Sequence, residues 1–269
     1  MAPSVEVPES VGDVIGALAG DGSVVLAGGT VVMPQLNTTA HDVAALVSLR
    51  RAGLGGIEVD GGRAVIGAAT TLSDVGRDER LAVLAPVIES IASPTIRNLA
   101  TVGGNLFVDQ PYGDLAVALL ALDAEVDVAG PGGNAARPVA DVVRDGVGAQ
   151  EVVTAVAFDV PRAAAWRYTK AMRRKQNSAS IVTVAAVLSF DGDTVAGARI
   201  ALGGAGTKPV RAVAAEQALA GGPLDHARAT AAGEAALRDA EPFDDAYASA
   251  WYRGRVLPVH VRRALLEEE

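Results

Sequence analysis

The sequence predicts an α+β protein in two parts, with a boundary near residue 160. Three observations carry this. Up to about residue 160, short apolar stretches alternate with Gly-rich turns and helix-capping residues. Beyond it, one long apolar run, IVTVAAVLSF (181–190), is followed by DGD (191–193) and a second run, TVAGARIALG (194–203), which reads as two strands around a tight turn. From residue 209 onward the residues read mainly as helix formers. The expected division is 1–160 and 161–269.

VVLA (24–27) reads as a short buried strand ending at Gly28 and Gly29. A short helix is expected over 31–37, with Thr30 as a candidate N-cap. VAALVSL (43–49), IEV (57–59) and AVIG (64–67) are expected strands separated by Gly-rich turns, and Thr70 to Asp74 carries the caps of a helix. A helix over 80–92 is expected to be interrupted by Pro86 and ended by Ser93–Pro94. DLAVALLAL (114–122) is a helix headed by Asp114. EVDVAG (125–130), PGGN (131–134) and RPVADVV read as strand, hairpin turn and strand. AAWRYTKAM (164–172) alternates loosely, and helices are expected over 209–221, 225–238 and 244–265.

Composition excludes several functions. The net charge is −9, so binding to nucleic acid, which rests on cationic contacts to phosphate, is not expected. No apolar run reaches the length of a membrane span, and MAPSVEVPES lacks a basic-then-apolar signal, so a cytoplasmic protein is expected. There is no cysteine, which removes disulfides and any cysteine-bound cluster or zinc site in this chain. The three histidines, His41, His226 and His260, are far apart and form no ligand pair, so no metal site is expected.

Two segments share one layout. In V25-L-A-G-G-T30 and A100-T-V-G-G-N105, an apolar stretch ends in two glycines and a polar residue. Glycine pairs let backbone N–H groups approach an anion closely, and two such loops could clamp a diphosphate. Turn geometry explains glycine pairs equally well, since others occur at 55–56, 61–62, 132–133 and 203–204. Neither segment is a GxGxxG or a P-loop, and G203-G-A-G-T-K208 has the wrong spacing and a proline after its lysine, so it reads as a turn leading into a helix. Asp114 suits a helix cap or a ligand-facing carboxylate, and spacing alone does not choose.

The ordered set AGGT (27–30), GRAVIGAATTLSDV (62–75), IRNLATVGGN (96–105), Asp114-Leu115 with LLALDAEV (119–126), YTKAMRR (168–174) and IALGGAGTKPVRA (200–212) resembles the FAD-binding medium subunit of the molybdenum hydroxylases, the family of xanthine dehydrogenase and carbon monoxide dehydrogenase. The resemblance runs from about residue 5 to 265. It implies the vanillyl-alcohol-oxidase-like (PCMH-type) FAD-binding fold: two α/β subdomains, then a C-terminal domain with a three-stranded antiparallel sheet and helices. It assigns Ala27, Gly28, Gly29, Thr30, Val31 and Val32, and Ala100, Thr101, Gly103, Gly104 and Asn105, to two FAD-binding loops. By the same resemblance, Asp114 points toward FAD and Lys170 lies near the isoalloxazine ring. No catalytic residue is assigned. Val31 and Asn37 stand where the family commonly has a polar residue and a lysine, and Asn177 where many relatives are acidic.

The implied role is electron transfer within an oxidoreductase complex. A small partner carries [2Fe–2S] clusters and a large partner carries molybdopterin, with the three chains expected as a heterotrimer that doubles. The competing readings are a stand-alone FAD oxidoreductase and a flavin-free interaction subunit that kept the fold. The substrate and the terminal electron acceptor are not encoded in this chain.

Overall fold

A computed structural model describes residues 3–38, 43–174 and 177–268. The first unit contains β1 (Ser4–Glu6), α1 (Val11–Leu18), β2 (Ser23–Leu26), α2 (Val32–Thr38) and β3 (Ala45–Ser48). Its three strands form a parallel sheet in the order β1-β3-β2. α1 starts where the Ser10 hydroxyl accepts the Asp13 N–H, and it buries Val14 and Leu18 over the sheet with Val47 and Leu49. The three-residue β1 lies outside the sequence expectation, because all three of its residues are exposed and carry no apolar run.

The second unit is an antiparallel sheet in the order β4-β5-β8-β6-β7, from β4 (Ile57–Asp60), β5 (Arg63–Gly67), β6 (Glu125–Gly130), β7 (Gly133–Pro138) and β8 (Val152–Asp159). Between β5 and β6 run α3 (Leu72–Arg77), α4 (Ala85–Ser90), α5 (Pro94–Arg97), α6 (Val102–Asn105) and α7 (Asp114–Ala121), and α8 (Val139–Asp145) follows β7. The helix expected over 80–92 is instead a 3-10 turn at Glu79–Leu84 followed by α4. Pro86 sits in the first turn of α4, where its missing N–H costs nothing. Ser93 ends nothing; it caps α5 by accepting the Ile96 N–H. The TVGGN segment is not a loop but a capped single turn, because the Thr101 hydroxyl accepts the Gly104 N–H. Every residue of α7 is buried.

The third unit opens with β9 (Trp166–Met172), β10 (Ser180–Asp191), β11 (Thr194–Gly203) and β12 (Val210–Arg211), in the sheet order β12-β11-β10-β9. The three long strands are as expected and the two-residue β12 adds an edge. α9 (Val213–Leu219), α10 (His226–Ala235) and α11 (Ala250–Leu266) cover one face around Leu202, Leu219, Leu257 and Val261. The other face meets α7, and Trp166, Ala185 and Ala201 join its core. α7 is therefore the wall shared by the second and third units. The helix expected from 244 begins at 250. Asp244 accepts the Ala250 N–H and Asp245 accepts those of Tyr247 and Ala248, which holds 244–249 in a turn until Ser249 caps α11.

Among the described residues no helix is long and apolar enough to cross a membrane. Among them, no group of His, Asp and Glu could hold a metal ion. His226 begins α10 and His260 lies half-buried on α11, its pKa lowered by burial and by Arg263; His41 lies outside the described residues.

Candidate functional site

β2 delivers Ala27 to Val32 at its C-terminal end. Gly28 lies against Leu99 and Ala100: a Cβ on Gly28 would stand 2.0 Å from the Leu99 carbonyl oxygen. Glycine here allows the first loop to touch the segment before α6. Gly29 has φ +70°, the left-handed region, and its carbonyl accepts the Met33 N–H at 3.1 Å to open α2. The N–H groups of Gly28, Gly29, Thr30 and Val31 have no hydrogen-bond partner among the described residues. Four successive unpaired donors on a bent, half-exposed loop form a concavity suited to an anion. Val31 is 38 % exposed, and its backbone serves whatever its side chain. Asn37 is exposed on α2.

The second glycine segment is built differently. The Gly103 N–H donates to Ala68 O at 2.9 Å, the Gly104 N–H to Thr101 Oγ1 at 3.2 Å and the Asn105 N–H to Thr101 O at 3.0 Å. Val102 N–H and Leu72 N–H exchange with Thr70 and Ala100 carbonyls, which pins α6 against the start of α3. Its donors are spent inside the protein. A Cβ on Gly103 would meet Ala68 Cβ at 2.8 Å, so this glycine serves packing. A Cβ on Gly104 would lie 3.9 Å from Ala27 Cβ, in the space between the two segments. What the segment offers outward is Asn105: the residue is 5 % exposed, and its Oδ1 is buried with no partner among the described residues. An amide oxygen orphaned at this depth calls for a donor that the described residues do not supply.

Asp114 and Lys170 meet at the seam between α7 and the C-terminal sheet. Lys170 Nζ lies 2.8 Å from Asp114 Oδ2, with side-chain exposures of 3 % and 1 %. Lys170 also donates to Ser90 O at 2.8 Å, and Thr183 Oγ1 donates to Asp114 Oδ1 at 2.7 Å. Gly113, not Asp114, holds the N-cap position of α7, so the carboxylate is free of a capping role. Burial raises the Asp114 carboxyl above its usual range, opposed by Lys170 and Thr183. Burial, with Asp114 adding to it, pushes the Tyr168 phenol well up, against a 2.8 Å hydrogen bond with Ser90 Oγ.

The structure also brings in residues that the sequence did not mark. Gln110, 6 % exposed, accepts the Gly204 N–H at 3.0 Å and donates to Gly113 O at 3.2 Å. It ties the loop before Asp114, which contains a cis peptide bond to Pro111, to the GGAGT turn 94 residues later. Ser180 donates from both N and Oγ to Pro111 O. Arg253, 1 % exposed, donates to Ser180 O and Ile181 O, pairs with Asp245 at 2.6 Å and lies 4.6 Å over the Phe243 ring. Only the GGAGT motif gave a signal for any of this, and it pointed to a turn rather than to a domain contact.

These features suit a flavin dinucleotide. Free backbone donors at Gly28–Val31 match a diphosphate, the orphaned Asn105 oxygen matches a hydroxyl or N–H donor, and the neighbouring exposed apolar side chains of Met33 (42 %) and Leu99 (55 %) offer surface to a flat ring or ribityl chain. A model of the FAD binding domain in molybdopterin dehydrogenase matches residues 2–162, and one of the CO dehydrogenase flavoprotein C-terminal domain matches residues 167–268. The chain is 31% identical over 273 residues to the carbon monoxide dehydrogenase medium chain of Afipia carboxidovorans, covering 96% of this chain and 93% of that one. It is 30% identical over 270 residues to the nicotine 6-hydroxylase medium subunit of Paenarthrobacter nicotinovorans, covering 97% and 95%. Among solved structures, carbon monoxide dehydrogenase from Hydrogenophaga pseudoflava, in a form lacking the Mo-pyranopterin moiety, superposes with a TM-score of 0.93 at 29% identity, covering 99% and 98% of the two chains. Quinoline 2-oxidoreductase from Pseudomonas putida 86 gives a TM-score of 0.91 at 28% identity, covering 100% and 97%.

Proposed function

The chain belongs to the FAD-binding medium subunits of the molybdenum hydroxylases, and on that premise we propose how its residues hold FAD and what assembly it serves. It is the flavin-carrying subunit of an oxidoreductase: electrons come from [2Fe–2S] clusters on a partner subunit and go to an external acceptor. FAD supplies a centre that takes electrons singly and gives them up as a pair. The chain has no cysteine, so the iron–sulfur clusters belong to a partner.

The observation that carries the site assignment is the row of N–H groups at Gly28, Gly29, Thr30 and Val31, unpartnered among the described residues, on a loop that touches Leu99 and Ala100. These donors bind the pyrophosphate. Ala27 and Val32 frame them, while Ala100, Thr101, Gly103 and Gly104 set the shape of the neighbouring segment and leave the gap clear. Asn105 Oδ1 accepts from the ribityl or sugar hydroxyls. Asp114 and Lys170 close the seam and hold one positive and one negative charge beside the flavin end, where a cation favours the reduced ring. Burial of the pair keeps water from weakening that field.

The complex is a heterotrimer of this chain, a small iron–sulfur subunit and a large molybdopterin subunit, doubled to a hexamer and located in the cytoplasm. The proposed domain division is 1–160 and 161–269, a reading supported by family models that match residues 2–162 and 167–268 separately. Purification of the chain with its partner subunits tests the assignment. FAD released on denaturation, with iron in the small chain, is the expected result; an intact complex in which this chain binds no flavin rejects it.

A further inference from the structure

Building on the FAD reading, we propose that Thr183 is a positioning residue for the flavin end of the site: paired across the sheet with Lys170, its hydroxyl fixes the Asp114 carboxylate and, through it, the Lys170 ammonium. Thr183 lies in an otherwise apolar stretch of β10, between Val182 and Val184, and all three are 0 % exposed. Packing alone asks for valine there, which has the same shape without a group to satisfy. The hydroxyl hydrogen goes to Asp114 Oδ1 at 2.7 Å, a partner 69 residues away on another element.

The register shows why this hydroxyl reaches the carboxylate. Thr183 and Lys170 stand directly opposite each other in the antiparallel β9–β10 pair, so their side chains leave the same face side by side. One takes Oδ1 and the other Oδ2 of the same carboxylate. Two donors from two strands fix the rotation of the carboxylate as well as its place. A single donor leaves it free to turn about the Lys170 contact.

The ammonium is braced from the far side in the same manner. Lys170 donates a second N–H to Ser90 O. Ser90 is held in turn by its own hydroxyl, which bonds Val87 O at 2.7 Å and lies 2.8 Å from Tyr168 Oη. Tyr168 sits two residues before Lys170 on the same face of β9. Of the three ammonium hydrogens, two are directed by these partners, so the direction of the third is set as well. Threonine's stiff χ1 suits the task, because the donor needs no adjustment when the ligand arrives.

The test compares Thr183→Val and Thr183→Ser in the chain purified with its partner subunits. FAD affinity, the flavin midpoint potential and the melting temperature of the flavin-stripped chain are measured. Thr183→Val is expected to weaken FAD binding about tenfold, the scale of one hydrogen bond to a charged group. It is also expected to lower the midpoint potential, while the stripped chain still folds but melts a few degrees below wild type, because Asp114 Oδ1 loses its donor there as well. Thr183→Ser, which restores the donor, is expected to return both flavin readouts to within about twofold of wild type in affinity, with the wild-type potential. Wild-type affinity and potential in Thr183→Val overturn the role, as does equal impairment of Val and Ser, which marks the site as packing only. Wild-type protein that binds no FAD overturns the underlying reading and this inference with it, so the two failures are told apart by the wild-type control.

Discussion

The glycine loops are built of backbone and the seam of side chains, and the two are stabilised in opposite ways. At Gly28 and Gly103 the absence of a Cβ lets neighbouring segments close to van der Waals contact. No charge is buried there, and the open donors of Gly28–Val31 remain in reach of solvent. At the seam an aspartate and a lysine are removed from water and depend on each other, with Thr183 and Ser90 taking the remaining bonds. The loops also differ from each other. Alike in sequence, the first keeps its N–H groups free, while the second spends them on Ala68 and Thr101. A Gly-Gly pair therefore marks close approach, and only the hydrogen-bond inventory says whether a ligand or the protein itself is being approached.

The sharpest way to break the comparison is at the seam. Lys170→Met strands the Asp114 carboxylate and should cost about 3–5 kcal/mol in urea or thermal unfolding. Adding Asp114→Asn should restore most of that stability but not FAD binding. If the double variant stays as unstable as the single one, the loss is of packing and not of charge. Gly28→Ala comes next: its Cβ overlaps the Leu99 carbonyl, so the segments must separate, with an expected loss of about 3 kcal/mol together with FAD. Gly104→Val separates the two functions. The nearest atom to its Cβ is Thr101 Oγ1 at 3.0 Å, and its side chain enters the gap toward Ala27. Stability should fall by about 1 kcal/mol while FAD occupancy falls at least tenfold; retained flavin would move the ligand away from this gap.

Smaller effects sharpen the picture. Gln110→Ala leaves the Gly204 N–H and the Gly113 carbonyl unpaired and should cost about 1–3 kcal/mol, read by thermal melting. Acid titration separates two carboxylates by sign, Asp114 in the seam and Glu151 in the second unit's sheet region. Asp114 has a raised pKa, so the folded chain takes up this proton before the unfolded chain does, and its contribution to stability is lost as pH rises and recovered as pH falls. Glu151, held low by Arg137 and the Gly148 N–H, contributes stability above the ordinary carboxylate range that is lost as pH falls. Neutralising Asp114 also removes the partner of Lys170. Acidification should therefore release flavin at a higher pH than it unfolds the chain, as followed by flavin fluorescence and circular dichroism.

Much of the fold was legible because its signals are local. The DGD turn and the two runs around it give β11 to the residue and β10 to within one residue at each end. Thr71 caps α3 from within the capping run read at 70–74, whereas Ser10 and Ser249, which cap α1 and α11 in the same way, were not marked by the sequence. β8 escaped notice although it lies at the centre of its sheet, because Ala155 and Ala157 blur its alternation. The candidate site was marked in the sequence as a set of glycines and polar residues. What they bond to was not. Lys170 reads as a surface lysine on a strand until β10 and α7 are placed beside it, and Gln110 has no meaning without Gly204. Such contacts span 56 and 94 residues, beyond the reach of any spacing rule.

We propose that the free donors after β2 hold FAD in this chain. The visible spectrum and flavin content of the chain purified with its iron–sulfur and molybdopterin partners test it most directly. The expected result is the absorption of oxidised flavin, with about one FAD per chain that is lost in Gly104→Val. A colourless chain within an intact complex, or full flavin content in that variant, would contradict it.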